Sequence, residues 1–163
     1  MNDILLVFLK DECKNYNGYT LSDIWEFNDI QLEKQHNYIQ WIFPLEKRSS
    51  FNIFCPIVRN ISLYDDLIIR NNMIKSFSMM LKFYGFILKD NKILKHNYEA
   101  RKVIWISKNN HNFLRITRIL KSLSLFKLNY YAIEFYKVLL LVYEENKDII
   151  SEKTIQYWTE AIK

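Results

Sequence analysis

Along most of this chain apolar residues return every three or four positions, the spacing that gathers them on one side of an α-helix, and the joints fall where that rhythm fails. Asn2 and Asp3 offer a cap for a first helix, residues 4 to about 10, with Leu5, Phe8 and Leu9 facing inward. Residues 15–20 are turn-rich, with Gly18 supplying backbone freedom, and Thr20 caps a brief helix whose Leu21, Ile24 and Trp25 form an i, i+3, i+4 stripe. Residues 32–45 read as a single helix capped by Asp29 and stopped by Pro44, which lacks an N–H and disfavours helical geometry at Phe43. Leu32, His36, Ile39 and Phe43 share one of its sides, and Tyr38, Trp41, Ile42 and Leu45 wrap the next. With two apolar sides it should be nearly enclosed by other helices. Glu33, Asn37 and Gln40 remain as a narrow polar line bordered by His36.

Residues 45–60 show no sustained period and contain Pro56, so an irregular segment is expected there, pinned to the helices by Phe51, Ile53, Phe54 and Ile57. Ser62 and Asp65 resemble a capping box opening a long helical region over residues 63–84, with Leu67, Met73, Phe77, Met80, Leu81 and Tyr84 inward, Asn71-Asn72 as a point of kinking, and Gly85 as C-cap. Residues 89–95 read as a charged loop. Another helix starts at Asn97 or Tyr98, with Val103, Ile104 and Ile106 for the core and Trp105 near its end. A helix over residues 112–125 buries Phe113, Ile116, Leu120 and Leu123, flanked by Leu114 and Ile119. Asn129 caps a deeply buried one over residues 130–146, marked by Ile133, Phe135, Tyr136, Leu139, Leu140 and Tyr143, and Ser151 caps a last one carrying Ile155, Trp158 and Ile162.

The sum is an all-α, single-domain bundle of seven or eight helices over residues 1–163, with one irregular Pro-containing segment after the main motif helix. Composition agrees: half the 163 residues are apolar and 16% aromatic, against two glycines and two prolines, too few for the turns of an all-β fold. The formal charge of +5 would attract anionic partners, but 17 of the 23 basic residues are lysines that look spread along solvent-facing positions, so nucleic acid is not the expected partner. Cys13 and Cys55 stand alone, with neither zinc-ligand nor disulfide spacing. Asp3, Lys10, Asp11 and Glu12 break the apolar start, and no apolar run approaches the roughly 20 residues of a membrane span, so the expectation is a soluble, intracellular protein.

Three strings in this order resemble the conserved domain of the opioid growth factor receptor family. They are Leu32-Glu33-x-x-His36-x-Tyr38-Ile39-Gln40-Trp41-Ile42-Phe43-Pro44, then Ser50-Phe51-Asn52 with Pro56 following, then His111-Asn112-x-Leu114-Arg115-Ile116-Thr117-Arg118-Ile119-Leu120. Met80-Leu81-Lys82-Phe83-Tyr84-Gly85 is similar too, and the family usually has Leu where this chain has Ile42. The resemblance implies a receptor-like role, since the animal receptor is described as a nuclear-envelope-associated binder of an enkephalin peptide, and with it a nuclear or perinuclear place besides the cytoplasm. It supplies no chemistry to carry over.

The residues themselves outline a candidate site. His111, Arg115, Arg118 and Ser122 form one line at i, i+4, i+7 and i+11, and guanidinium groups one turn apart suit a carboxylate or phosphate. Glu33 is an equally suitable partner within the protein. The expected ligand-binding set is Glu33, His36, Asn37, Tyr38, Gln40 and Trp41, with Asn52, His111, Asn112, Arg115 and Arg118, on the joined polar faces of the two motif helices. The ligand would be a peptide, protein or anion. Glu33-x-x-His36 is half of a di-iron carboxylate motif without its second half. Nucleophile elbow, phosphate loop and a Cys beside a motif His are all missing from the sequence, so no catalytic residue, metal or cofactor is assigned. The alternatives are a cofactor- or metal-binding protein or enzyme using Glu33, His36, His111 and Arg115, and, behind that, a nucleic-acid binder.

Overall fold

The computed structural model describes residues 3–163, so the cap expected from Asn2 lies outside the described residues. Among them the chain is predominantly helical, as the periodicity predicts. Its helices are α1 (Ile4–Leu9), α2 (Leu21–Trp25), α3 (Asp29–Lys34), α4 (Ile39–Ile42), α5 (Leu67–Tyr84), α6 (Tyr98–Trp105), α7 (Asn112–Leu125), α8 (Asn129–Glu145) and α9 (Glu152–Ala161). A 3-10 turn, Ile61–Asp65, precedes α5, and two antiparallel strands, β1 (Phe86–Lys89) and β2 (Lys92–Lys95), stand between α5 and α6. The backbone gathers into two compact units, Met1–Met79 and Met80–Lys163.

In the first unit the local signals held at α1 and α2. Asp3 accepts from the Leu5 N–H, and Thr20 and Asp23 close a reciprocal capping box. The main motif helix did not hold: it breaks between Lys34 and Ile39, which raises the helix count to nine among the described residues. Asn28, rather than Asp29, caps α3 through a reciprocal box with Gln31. At the break Gln35 is extended, and the buried Tyr38 hydroxyl donates to the Leu32 carbonyl at 2.7 Å, replacing a bond that a continuing helix would have made. Lys34, Gln35, His36 and Asn37 supply no apolar residue to anchor a further turn. The break then lets the whole run from Tyr38 to Phe43 go inside, while His36, expected beside Leu32 and Ile39, stays exposed.

The start of α5 also differs from expectation. Asn60 caps the 3-10 turn, and Asp66 caps α5 by accepting from the Ile68 and Ile69 N–H groups at 3.0 and 3.1 Å. Leu67, expected inward, is exposed, and Ile69 is buried in its place. No break occurs at Asn71-Asn72; the Asn72 amide instead donates to the Leu9 carbonyl at 2.8 Å, tying α5 to the end of α1. Lys10 meets Asp66 at 3.0 Å in the same place. Burial alone would raise the Asp66 pKa, but the Ile69 amide, the Lys10 ammonium and the Ile68 amide outweigh it and hold the carboxyl below its ordinary value. The Asp66 contribution is therefore present at neutral pH and lost as pH falls below about 4 and through the lowered folded value. Asp66→Ala should cost about 1–2 kcal/mol at neutral pH. Asp66→Asn should keep most of the cap yet lose stability less steeply in acid, so urea midpoints of wild type and Asp66→Asn falling in parallel between neutral pH and acid would rule the assignment out.

In the second unit α7 packs against α8 and α9, α8 and α9 pack together, and β2 lies on α8. Ser151 caps α9 as expected, accepting from the Thr154 N–H, and Gly85 ends α5 at φ +96°. The charged loop expected at residues 89–95 is a hairpin. Its register pairs Phe86 with Lys95 and Lys89 with Lys92 across a two-residue turn, Asp90-Asn91, both at positive φ, the geometry whose twist suits paired strands. At the end of α6 Ile106 is buried as expected, but Val103 and Ile104 are exposed and Trp105 is buried instead, its indole donating to the Tyr84 carbonyl at 3.0 Å. In α8 the buried residues are Ala132, Phe135, Leu139 and Val142, with Ile133 turned out, so this helix is half-covered rather than enclosed, and it opens at Asn129 without a side-chain cap.

Helix α7 ends in a Schellman motif: the Leu128 N–H reaches the Leu123 carbonyl at 2.8 Å and the Lys127 N–H reaches that of Ser124 at 3.2 Å. Lys127 occupies its left-handed position at φ +59°, where glycine is usual. Lys127→Gly should stabilise the protein by up to about 1 kcal/mol by removing the left-handed strain, less the entropy glycine adds to the unfolded chain. A lowered thermal midpoint would contradict this.

Candidate functional site

The candidate residues divide between the two units, and each unit makes its own arrangement. In the first, the loop after α4 folds into a tight turn closed by a bridge between Ser49 and Asn52, with the Phe51 N–H donating to Ser49 Oγ at 3.2 Å. Asn52 is the anchor. Its side-chain amide donates to the Asn37 carbonyl at 3.2 Å and to Oε1 of the buried Gln40 at 3.5 Å. The guanidinium of Arg48 donates to the Ile53 carbonyl, closing the other side of the loop. A segment held through its polar atoms can leave its apolar side chains outside. Phe51 is 73% exposed, Phe54 76%, and Ile53 is exposed with them; the pinning expected of these three is done by Cys55 and Val58, which are buried.

Opposite this loop, Asn15 holds the turn before α2 by accepting from the Asn17 and Tyr19 N–H groups at 2.9 and 3.1 Å, with Gly18 at φ +87°. The turn presents the exposed Tyr16 ring edge-on to Trp41, 4.9 Å between centroids, while Phe8 meets Trp41 at 5.0 Å. Between the two loops lies a cleft of about 650 Å³ lined by Tyr16, Asn17, Asn37, Trp41, Arg48, Asn52 and Phe54. A second hollow of about 380 Å³ shares Tyr16, Arg48 and Phe54 and continues to Pro56, Ile57 and Arg59. Asn37, Trp41 and Asn52 were legible in the sequence, and Gln40 braces Asn52 from inside. Tyr16, Arg48 and Arg59 were not singled out, and Phe54 was expected to pin the loop rather than to line a cleft. Phe54 carried a signal that was misread, an apolar residue in a polar, aperiodic segment. Glu33 is half-buried on α3, and Tyr38 is buried.

In the second unit the line of polar residues on α7 is largely internal. Asn112 and Ser122 are fully buried and Arg115 is 5% exposed, whereas Arg118 is half-buried and His111 exposed. Asn110 opens α7 by accepting from both the backbone and side-chain N–H groups of Asn112, at 2.9 and 3.0 Å, and its own amide donates to the Ile104 carbonyl and Ser107 Oγ. Asn112 Oδ1 in turn receives the Tyr84 hydroxyl and the Arg115 guanidinium, each at 3.4 Å. Such a connected network specifies one arrangement of α6, α7 and the end of α5. Cys13 and Cys55 are reduced thiols, burial pushing the Cys13 value up. Burial, with Glu145 and Glu99 adding to it, pushes the Tyr98 hydroxyl up to about 12, so it remains a neutral phenol. Among the described residues no group of three or more His, Cys, Asp or Glu side chains is disposed to hold a metal, and no helix is long and apolar enough to cross a membrane.

The sequence model of the opioid growth factor receptor conserved region matches residues 6–163. The chain belongs to the opioid growth factor receptor family. It is 29% identical to the opioid growth factor receptor of Mus musculus over 170 residues, covering 97% of this chain and 27% of that protein. It is 31% identical to the Homo sapiens receptor, covering 90% of this chain and 23% of that one. The opioid growth factor receptor-like protein 1 of Rattus norvegicus is 30% identical, over 85% of this chain and 31% of its own length. The chain thus spans between about a quarter and a third of these relatives. No solved structure matches.

Proposed function

We propose that residues 1–163 act as one receptor-like binding domain, and that the first unit seats a peptide or protein segment in the cleft between the Tyr16 turn and the Ser49–Asn52 loop. The observation that carries this is the convergence there of Asn37, Trp41 and Asn52, expected from sequence, with the exposed Tyr16 and Phe54 and the cation of Arg48. An open cleft with an aromatic floor, amide groups able to bond an extended backbone, and a guanidinium for a carboxylate fits an extended chain with an acidic group. Large exposed aromatics that the fold itself does not use are what a partner would bury. The receptor part rests on the names of the relatives, and opioid growth factor is one probe to try. Within the second motif Arg118 and His111 extend the reading to anionic ligands, being less buried than Arg115.

The test is panning of a displayed random peptide library against the folded chain, followed by titration of the enriched peptides, and of opioid growth factor, into wild type, Phe54→Ala and Arg48→Ala. Phe54→Ala lies on the surface, so folding should hold within about 0.5 kcal/mol, whereas Arg48→Ala also removes the hydrogen bond to the Ile53 carbonyl and should cost about 1 kcal/mol. Peptides seated in the cleft should lose roughly tenfold or more in affinity for Phe54→Ala. Failure to enrich any peptide, or peptides indifferent to both changes, would sink the proposal.

A further inference from the structure

The excess positive charge of this chain is confined to one stretch. Residues 80–127 carry eleven Lys and Arg against two acidic residues, Asp90 and Glu99; the rest of the chain carries twelve basic against sixteen acidic. A stretch of 48 residues with a surplus of nine cations therefore sits in a chain whose remainder is slightly acidic. This clustering corrects the expectation of lysines spread along the chain. The hairpin gives the charge a shape. Lys89 and Lys92 face each other directly across β1 and β2 at the turn, a like-charge pair that is unfavourable on its own. Among the described residues neither has a carboxylate partner.

The surroundings of the tip add to the field. Tyr130 and Tyr131 donate their hydroxyls to the backbone and side chain of Asn91, at 2.9 and 3.2 Å, which sets the tip against the opening turn of α8. That turn contains no acidic residue, so its helix dipole is left uncompensated beside the lysines. From these observations we infer that the β1–β2 hairpin binds the phosphodiester backbone of nucleic acid. A two-stranded ribbon fits the major groove of a duplex, and lysines without carboxylate partners suit phosphates as point charges. An anionic membrane fits less well, because the tip residues Lys89, Asp90, Asn91 and Lys92 are all polar and exposed and offer nothing to insert among acyl chains. The inference is independent of the cleft in the first unit.

The experiment is fluorescence anisotropy of a labelled DNA duplex of about 20 base pairs, titrated with the full chain between about 50 and about 200 mM salt. The wild type should bind with a steep negative dependence on salt. The Lys89→Ala/Lys92→Ala variant, folded by circular dichroism, should bind about tenfold more weakly at the low-salt end, and its log–log slope should flatten by about 1.8, the release expected for two lost phosphate contacts. Lys153→Ala, on α9 outside the basic stretch, should leave both quantities unchanged. Absence of salt-dependent binding by the wild type would overturn the inference. So would a double variant with an unaltered slope, an equal loss in Lys153→Ala, or binding to vesicles rich in anionic lipid with none to the duplex.

Discussion

Replacing Gly85 with alanine should cost the second unit about 2–5 kcal/mol and leave it unfolded or nearly so, because two backbones meet where the methyl group would go. A Cβ there would lie 2.6 Å from the Tyr98 Cα and 3.1 Å from both the Tyr98 nitrogen and the Arg101 Cβ. Neither backbone atom can move aside as a flexible side chain would. The Gly85 carbonyl receives the His96 N–H at 2.8 Å, the Trp105 indole is bonded to the Tyr84 carbonyl, and Arg101 Nε donates to the Phe83 carbonyl at 2.8 Å. Overpacking of this kind costs about 1–3 kcal/mol and the left-handed conformation at φ +96° about 1–2 more. Gly18→Ala is the control. Gly18 also has positive φ, yet nothing lies within 4 Å of its Cβ direction, so only the conformational cost of about 1–2 kcal/mol should appear. Urea unfolding of the two variants decides the matter, and equal losses would mean that the approach of the Tyr98 backbone is not what requires glycine.

Trp41→Ala should cost about 3–5 kcal/mol, the usual range for removing a fully buried indole. Trp41 is buried within the first unit, edge-on to Phe8 and Tyr16, and it floors the cleft. Trp41→Phe retains much of the apolar area and should lose about half as much. The two roles separate in that variant: if Trp41 also shapes the site, Trp41→Phe should weaken peptides selected on the wild type by more than its modest loss of stability would suggest. A Trp41→Ala protein within about 1 kcal/mol of wild type would show that the indole is not part of the core.

The sequence determined those parts of this protein whose causes are local. Thr20 and Ser151 cap α2 and α9 through a backbone N–H three residues away, Gly85 ends α5 by its own freedom, and the bounds expected for α7 are those observed, because the apolar period of Phe113, Ile116, Leu120 and Leu123 runs unbroken along it. The motif residues Asn37, Trp41 and Asn52 could likewise be singled out from their setting in unusual strings. Elsewhere two local readings were nearly balanced. The Asp90-Asn91 turn signal was present but was outweighed by three flanking lysines, Lys89, Lys92 and Lys95, and the short apolar pairs Ile87-Leu88 and Ile93-Leu94 look no more like strands than like loop.

Only the tertiary structure decided which apolar and polar residues go inside, because periodicity names the faces that can be buried but not the neighbours that bury them. Trp105 and Ile106 are covered while Val103 and Ile104 are not, and the helix alone would accept either choice. Arg115 and Ser122, on the polar line of α7, are both buried, and the Arg115 guanidinium finds an interior acceptor in Asn112 Oδ1. The main motif helix broke because the Tyr38 hydroxyl could satisfy the Leu32 carbonyl only once Tyr38 itself was enclosed. The cleft depends on contacts of the same kind: Asn52 reaches back to Asn37 and Gln40, and by satisfying the loop's polar atoms from within the fold it leaves Phe51 and Phe54 in the solvent.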